Sequence, residues 1–302
     1  MRDTPVIRLL PDKRRLHLQD GPIDLIVEAF GTDEQVLEAY RGAARRFLTI
    51  LDELCAELPL LRAAVAAEAE RPGGPVARRM YAAVRPHADQ NFITPMAAVA
   101  GAVAEEVLGA MLAAAQLDRA YINNGGDIAL HLEPGQEFSV GLIDRPDRPS
   151  LFAAATIRTA DPVRGIATSG WRGRSFSLGI ADAVTVLAAS AAEADAAATI
   201  IANQVDLPGH PAVRRQPAAD IDPDSDLGQR LVTRHVGRLG PADIATALDA
   251  GEACAERLRA EGHIVAAALH LQGMTRLIGR ADGFALVAPV EQFKQSGRAL
   301  HA

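Results

Sequence analysis

Between Arg119 and Ser190 the chain is a string of short apolar runs cut by turn signals: "RAYI", "NNGGD", "IALHL", "EPGQ", "EFSVGLI", "LFAAATIRT", "GIATSG" and "ADAVTVLAAS". Parallel neighbours need a crossover of about a dozen residues or more, usually a helix, whereas antiparallel neighbours need only a tight turn. Connections this short restrict the segment to a mostly antiparallel meander. In residues 5–30, "PVIRLL", "RLHL" and "DLIVEAF" supply two or three strands that open the sheet, and "IVAAALHLQG" and "TRLIGR" close it.

Helical spacing takes over elsewhere. Thr32 to about Leu58 reads as an amphipathic surface helix with acidic residues early in the run. "PGGP" at 72–75 breaks whatever helix precedes it. Thr94 as N-cap and Pro95 as first position open "TPMAAVAGAVAEEVLGAMLAAAQL", which has few charges besides Glu105 and Glu106 and is therefore buried around most of its circumference. Gly101, unfavourable inside a helix, points to close backbone packing or a nearby ligand. Ser190 with Glu193 matches a capping box for the next helix, and a further helix lies near 241–263. Residues 207–230, rich in Pro, Asp and Arg, read as a long surface loop. With no internal repeat or low-complexity linker, the expectation is one α+β domain over residues 1–302, a mostly antiparallel sheet packed by helices.

A net charge of −7 leaves no basic excess for a broad nucleic-acid or anionic-membrane surface, so any anion site must be local. Cys55 and Cys254 are the two cysteines, both in helical stretches, and read as reduced, buried thiols rather than a disulfide or metal framework. The first residues are charged and lack the apolar core of a secretory signal, and no run approaches the roughly 18 consecutive apolar residues of a membrane span. The expected setting is cytoplasmic, with no nucleic-acid or membrane partner. The alanine-rich helices would suit a homodimer.

Three segments carry candidate chemistry. In "EADAAATIIANQVD", Asp195, Thr199, Asn203 and Asp206 fall in one line on a helix, a stripe of short polar groups with no Lys, Arg or Glu. A carboxylate and a hydroxyl one turn apart suit a hard cation such as Mg²⁺, although a solvated helix face is an equally fair account of the pattern. In "YINNGGDIAL", Gly125 and Gly126 signal a hairpin turn and also let backbone approach a ligand, with Asp127 beside them. In "ATSGWRGR", Thr168, Ser169 and Gly170 offer hydroxyls and amides, with Arg172 and Arg174 as local positive charge for a phosphate; a solvated polar loop fits the same residues. No HExxH, Cys/His cluster or GxSxG elbow is present.

Taken in order, "NNGGDI", "IATSG" and "ADAVTVLAAS…ADAAAT" resemble the ApbE superfamily, whose characterised members are FAD:protein FMN transferases. The resemblance covers residues 90–206 best. It implies that Asp195 and Thr199 bind Mg²⁺, which holds the FAD pyrophosphate, and that Gly125, Gly126, Asp127, Thr168, Ser169 and Gly170 contact the cofactor. The family's reaction moves FMN onto a threonine of a partner protein and releases AMP. Two family features are replaced here: the His-pair segment between ATSG and VTV reads "RSFSLGIADAVTV", and the Lys of a Lys-Gly pair is Ala100. The expectation is a divergent, cytoplasmic ApbE-like protein that binds a flavin or another phosphate-containing cofactor, with Mg²⁺-dependent flavin or nucleotidyl transfer as its reaction. The alternatives are a non-catalytic holder of a flavin or pterin and a structural partner subunit. No catalytic residue is assigned.

Overall fold

The computed structural model describes residues 4–66, 70–143, 151–279, 284–285 and 299–301. It opens with β1 (Val6–Leu9), β2 (Leu16–Asp20) and β3 (Ile23–Phe30). Burial alternates along β3, with Ile23, Leu25, Val27 and Ala29 inward, as expected of a strand with one face on a core. In α1 (Asp33–Ala56) the Thr32 hydroxyl accepts from the Gln35 amide while the Gln35 side chain accepts from the Thr32 amide, closing a capping box. After α2 (Leu58–Leu61), α3 (Pro75–Val84) starts at the last residue of "PGGP", where a missing N–H costs nothing. Next come α4 (Val99–Ala114), β4 (Arg119–Asn124), β5 (Asp127–Leu132), β6 (Glu137–Ile143), β7 (Leu151–Arg158), β8 (Gly165–Ser169) and β9 (Ala183–Ala188). The described chain ends with α5 (Ala191–Gln204), β10 (Val213–Pro217), β11 (Leu231–Val236), α6 (Pro241–Ala260), β12 (Ala266–Leu271), β13 (Met274–Ile278), β14 (Phe284–Ala285) and β15 (Ala299–His301).

Two compact units are distinguished. The first comprises Met1–Glu137, Arg158–Ile166 and Ala189–Asp195. Its strands run in the order β1-β2-β3-β4-β5-β8, antiparallel at every pairing. Helices α1 and α4 pack against each other and on this sheet, burying Leu25, Val27, Phe47, Val103, Met111 and Ile122. One stretch here, Pro95–Ala114, is long and apolar enough to cross a membrane by length and composition alone; Val103, Ala104, Val107 and Met111 use that apolar surface in the core of the unit.

The second unit comprises Phe138–Ile157, Ala167–Ala188 and Ala196–Ala302. In it β8, β9, β12 and β13 are neighbours in that order, antiparallel in the β9/β12 and β12/β13 registers, with α6 on β12 and β13. A separate sheet has the order β14-β7-β6-β15, and β10 pairs with β11 as a two-stranded antiparallel ribbon. The fold is thus α+β with a mostly antiparallel sheet packed by helices.

Four local expectations are corrected. β6 and β7 leave the meander for the second sheet, since alternation along "EFSVGLI" says which residues face inward but not which sheet they serve. Pro95–Ala98 forms a 3₁₀ turn, Thr94 makes no side-chain cap and α4 begins at Val99. The 207–230 loop contains β10, whose "VRRQP" has no apolar alternation and is a strand because β11 pairs with it. Cys254 is buried, but Cys55 lies on the outer side of α1 and is exposed.

Candidate functional site

The turn between β4 and β5 is built by its two glycines. Gly125 (φ 68°) and Gly126 (φ 115°) are both left-handed, the backbone of a two-residue hairpin loop that side chains resist. Asn124 and Asp127 face each other across it. The Gly126 amide donates to Asn123 Oδ1 at 2.8 Å, and the buried Asn124 donates through Nδ2 to the Ala100 carbonyl at 3.1 Å, tying the turn to the start of α4. Ala100, where the family pattern has Lys, thus contributes its backbone.

That start of α4 also needs an acceptor. A helix leaves its first four amides without intrahelical partners, and the capping residue here, Ala98, has no side-chain acceptor. Asp195, from the first turns of α5, supplies it: Oδ2 accepts from the Gly101 amide at 3.0 Å. The exchange is mutual. Glu105 of α4 accepts from the Ala192 amide at 2.7 Å, while the Ser190 hydroxyl accepts from the Glu193 amide at 3.3 Å. The predicted Ser190 cap is therefore present, supplemented by a carboxylate from another helix. Neither exchange was visible in the sequence, although an α4 opening on Ala98 and two glutamates in an apolar helix were its traces.

Helix proximity makes these bonds feasible. A Cβ on Gly101 would lie 2.2 Å from the Ala191 carbonyl oxygen, and one on Gly165 of β8 would lie 2.1 Å from the Ser190 carbonyl carbon and oxygen. Gly101 is accordingly a packing glycine. Behind this contact, Arg79 bonds Glu105 at 2.9 Å and Glu106 at 2.8 Å, and Arg46 bonds Glu106 and Glu53, each at 2.7 Å.

Asp195 stays partly accessible, yet protein surrounds most of its carboxyl. Burial, and then the negative charge of Asp127, push its pKa well above the ordinary 3.8, against the opposing pull of the Gly101 and Ala100 amides. The first unit thus brings Asp127, Gly125, Gly126 and Asp195 together around the start of α4. A folded pKa above the unfolded value means that the native chain binds the extra proton, so the stabilisation is full below about pH 3.8 and is lost as pH rises through the folded pKa. In metal-free buffer, thermal melts from about pH 4 to pH 8 should show wild type losing stability relative to Asp195→Asn as pH rises. A difference that does not change with pH would show that Asp195 titrates normally.

Along α5 every residue is buried except Glu193, Asp195, Thr199, Asn203 and Gln204, so the polar stripe is the open line of a buried helix. Its far end has structural partners in the second unit: Asn203 Oδ1 accepts from the Leu178 amide at 2.9 Å, and Asp206 pairs with Arg215. Thr199 makes no hydrogen bond through its hydroxyl among the described residues, leaving it available one turn from Asp195.

The "ATSG" segment belongs to the second unit. Thr168 and Thr185 hydroxyls are 2.8 Å apart, Ser169 is half-buried, and a Cβ on Gly170 would lie 2.5 Å from the Asp182 carbonyl oxygen. Arg172, expected as charge for a phosphate, bonds the buried Asp182 at 2.7 Å. Asp182 also accepts from Trp171 Nε1 at 3.2 Å and from the Gln272 amide at 2.7 Å. Arg174 is exposed.

Among the described residues no group of three or more His, Cys, Asp and Glu could hold a metal ion. Asp195 and Asp127 of the first unit offer hard oxygen donors, of the kind that suits Mg²⁺, which keeps waters or ligand phosphates in most of its positions, rather than zinc.

A UPF0280 protein of Methanosphaerula palustris is 39% identical over 143 residues, 44% of this chain and 54% of that protein. One from Methanothrix thermoacetophila is 38% identical over 133 residues, 43% and 52% of the two chains. The chain therefore matches about half the length of these curated relatives. The apo crystal structure of Pseudomonas stutzeri flavinyl transferase ApbE is 13% identical, with a TM-score of 0.45 over 92% of this chain and 94% of that one. The profile of the family described as AbpE bacteria matches residues 7–277. The chain belongs to this bacterial AbpE family.

Proposed function

We propose that this protein binds a flavin nucleotide, FAD in the first instance, through a divalent cation held by Asp195 and Thr199 of α5, beside the Gly125-Gly126-Asp127 turn. The observation that carries the reading is Asp195 itself: a carboxyl crowded by protein and facing the charge of Asp127, one helical turn from a Thr199 hydroxyl with no protein partner. Two anionic groups in such surroundings repel, and a cation between them relieves that repulsion. When bound, Mg²⁺ would neutralise phosphate charge. The chain's own contribution is to orient: Gly101 fixes one Asp195 oxygen, and Glu105 anchors the first turn of α5. Thr168, Ser169 and Gly170 are proposed as further cofactor contacts on the strength of the motif resemblance. A cytoplasmic setting and a target protein as flavin acceptor belong to the same proposal.

Binding without transfer is the second reading, and Ala100 favours it. Where the family pattern places a Lys, this chain has a methyl group and a carbonyl bonded to Asn124. Titrating FAD into the purified protein, with and without Mg²⁺, tests the common part through flavin fluorescence. Binding that requires Mg²⁺ is expected; equal binding without it removes the cation from the site, and none in either case removes flavin from the reading. AMP release on incubation with FAD and Mg²⁺ then separates transfer from simple binding.

A further inference from the structure

Two neighbouring arginines of α3 face different ways. Arg78 is exposed and donates to the Gly73 carbonyl beside the start of its own helix. Arg79, about 100° further round the helix, turns to α4, where its Nε bonds Glu105 at 2.9 Å and its Nη1 bonds Glu106 at 2.8 Å. A planar guanidinium holds two carboxylates at fixed angles, which the point charge of a lysine does not. Glu105 is the one of the pair that reaches α5. Its Oε1 accepts from the Ala192 amide at 2.7 Å, its Oε2 is held by Arg79, and the Ser190 hydroxyl donates to the same carboxylate. Burial pushes the Glu105 pKa up, and the Ala192 amide and the Arg79 charge oppose that rise. Without its cation, this half-buried carboxyl beside Glu106 would take up a proton or turn outward to water, and either change weakens its hold on the first turn of α5.

We infer that Arg79 is a positioning residue for Asp195 and acts through Glu105. The route is continuous within the first unit: Arg79 fixes Glu105, Glu105 fixes Ala192, and three residues along α5 Asp195 meets the Gly101 amide at 3.0 Å. A metal ligand is useful only when its orientation is set, and the groups behind it set that orientation. Arg46 supplies the comparison. It is the same residue type, in the same network, but its bonds run to Glu106 and Glu53 at 2.7 Å each and it stands one step further from α5. The effect expected on binding rests on the proposed role of Asp195 as a cation ligand; the effect expected on the two helix starts does not.

Amide hydrogen exchange by NMR and titration with FAD and Mg²⁺, both on the full chain, test the inference together. Arg79→Leu should speed exchange of the Ala192 and Gly101 amides by roughly tenfold or more, and should weaken Mg²⁺-dependent FAD binding by roughly tenfold or more. Arg79→Lys, which keeps a charge beside Glu105, should fall between that variant and wild type in both readouts. Arg46→Leu should lower the melting temperature and leave both readouts near wild type. In a Glu105→Gln background, Arg79→Leu should add nothing further. Unchanged exchange at Gly101 in Arg79→Leu overturns the inference, as does an equal change in Arg46→Leu or a further loss in the double variant. If wild type binds no FAD and Arg79→Leu still loosens both amides, the flavin reading falls and the positioning of Asp195 by Arg79 stands.

Discussion

Gly165→Ala is expected to destabilise the chain by about 3 kcal/mol or more, the upper end for forcing atoms into a packed site. The added methyl would sit 2.1 Å from the Ser190 carbonyl carbon and oxygen, and backbone cannot swing aside as a side-chain tip can. Relief requires the start of α5 to move off β8, which would also loosen the Ala192 to Glu105 and Gly101 to Asp195 bonds. Urea unfolding followed by circular dichroism measures the loss as a fall in midpoint. A midpoint within the range of surface substitutions, about 0.5 kcal/mol either way, would mean that the α5 start is not held as described.

Asp195→Ala should abolish Mg²⁺-dependent FAD binding, measured by calorimetry. Loss of a group that merely supports a metal ligand costs roughly 10–100-fold in affinity, and a direct ligand costs at least as much. The variant also loses the acceptor for the Gly101 amide, worth about 1 kcal/mol as a helix cap, so weaker binding alone would be ambiguous. Asp195→Asn separates the two effects. Its amide oxygen can still accept from Gly101, and its neutrality removes the repulsion with Asp127, so this variant should be at least as stable as metal-free wild type and yet fail to bind. If Asp195→Asn binds FAD with wild-type affinity and Mg²⁺ dependence, Asp195 is a cap of α4 and nothing more.

These predictions turn on residues whose sequence signals were very uneven. Gly125 and Gly126 were legible because a two-residue hairpin between apolar runs dictates left-handed backbone locally. The polar stripe on α5 was legible as well, since helical periodicity alone aligns Asp195, Thr199, Asn203 and Asp206. Which members had protein partners was not: Asn203 meets the Leu178 amide of the loop before β9, and Asp206 meets Arg215 once β10 is in place. Arg172 was misjudged for the same reason. Its exposed-looking charge is matched by Asp182, ten residues away across a turn.

By itself the sequence determined the local periods, the turns and therefore an α+β fold with a mostly antiparallel sheet, because alternation, capping and left-handed glycines act over a few residues. It also carried the ordered motifs that resemble the ApbE superfamily. Only the tertiary structure decided that β6 and β7 serve a second sheet, that α4 and α5 satisfy each other's free amides, and that Asp195 stands beside Asp127. Those outcomes depend on long-range proximity and on the desolvation it brings, and neither can be read from residues taken a few at a time.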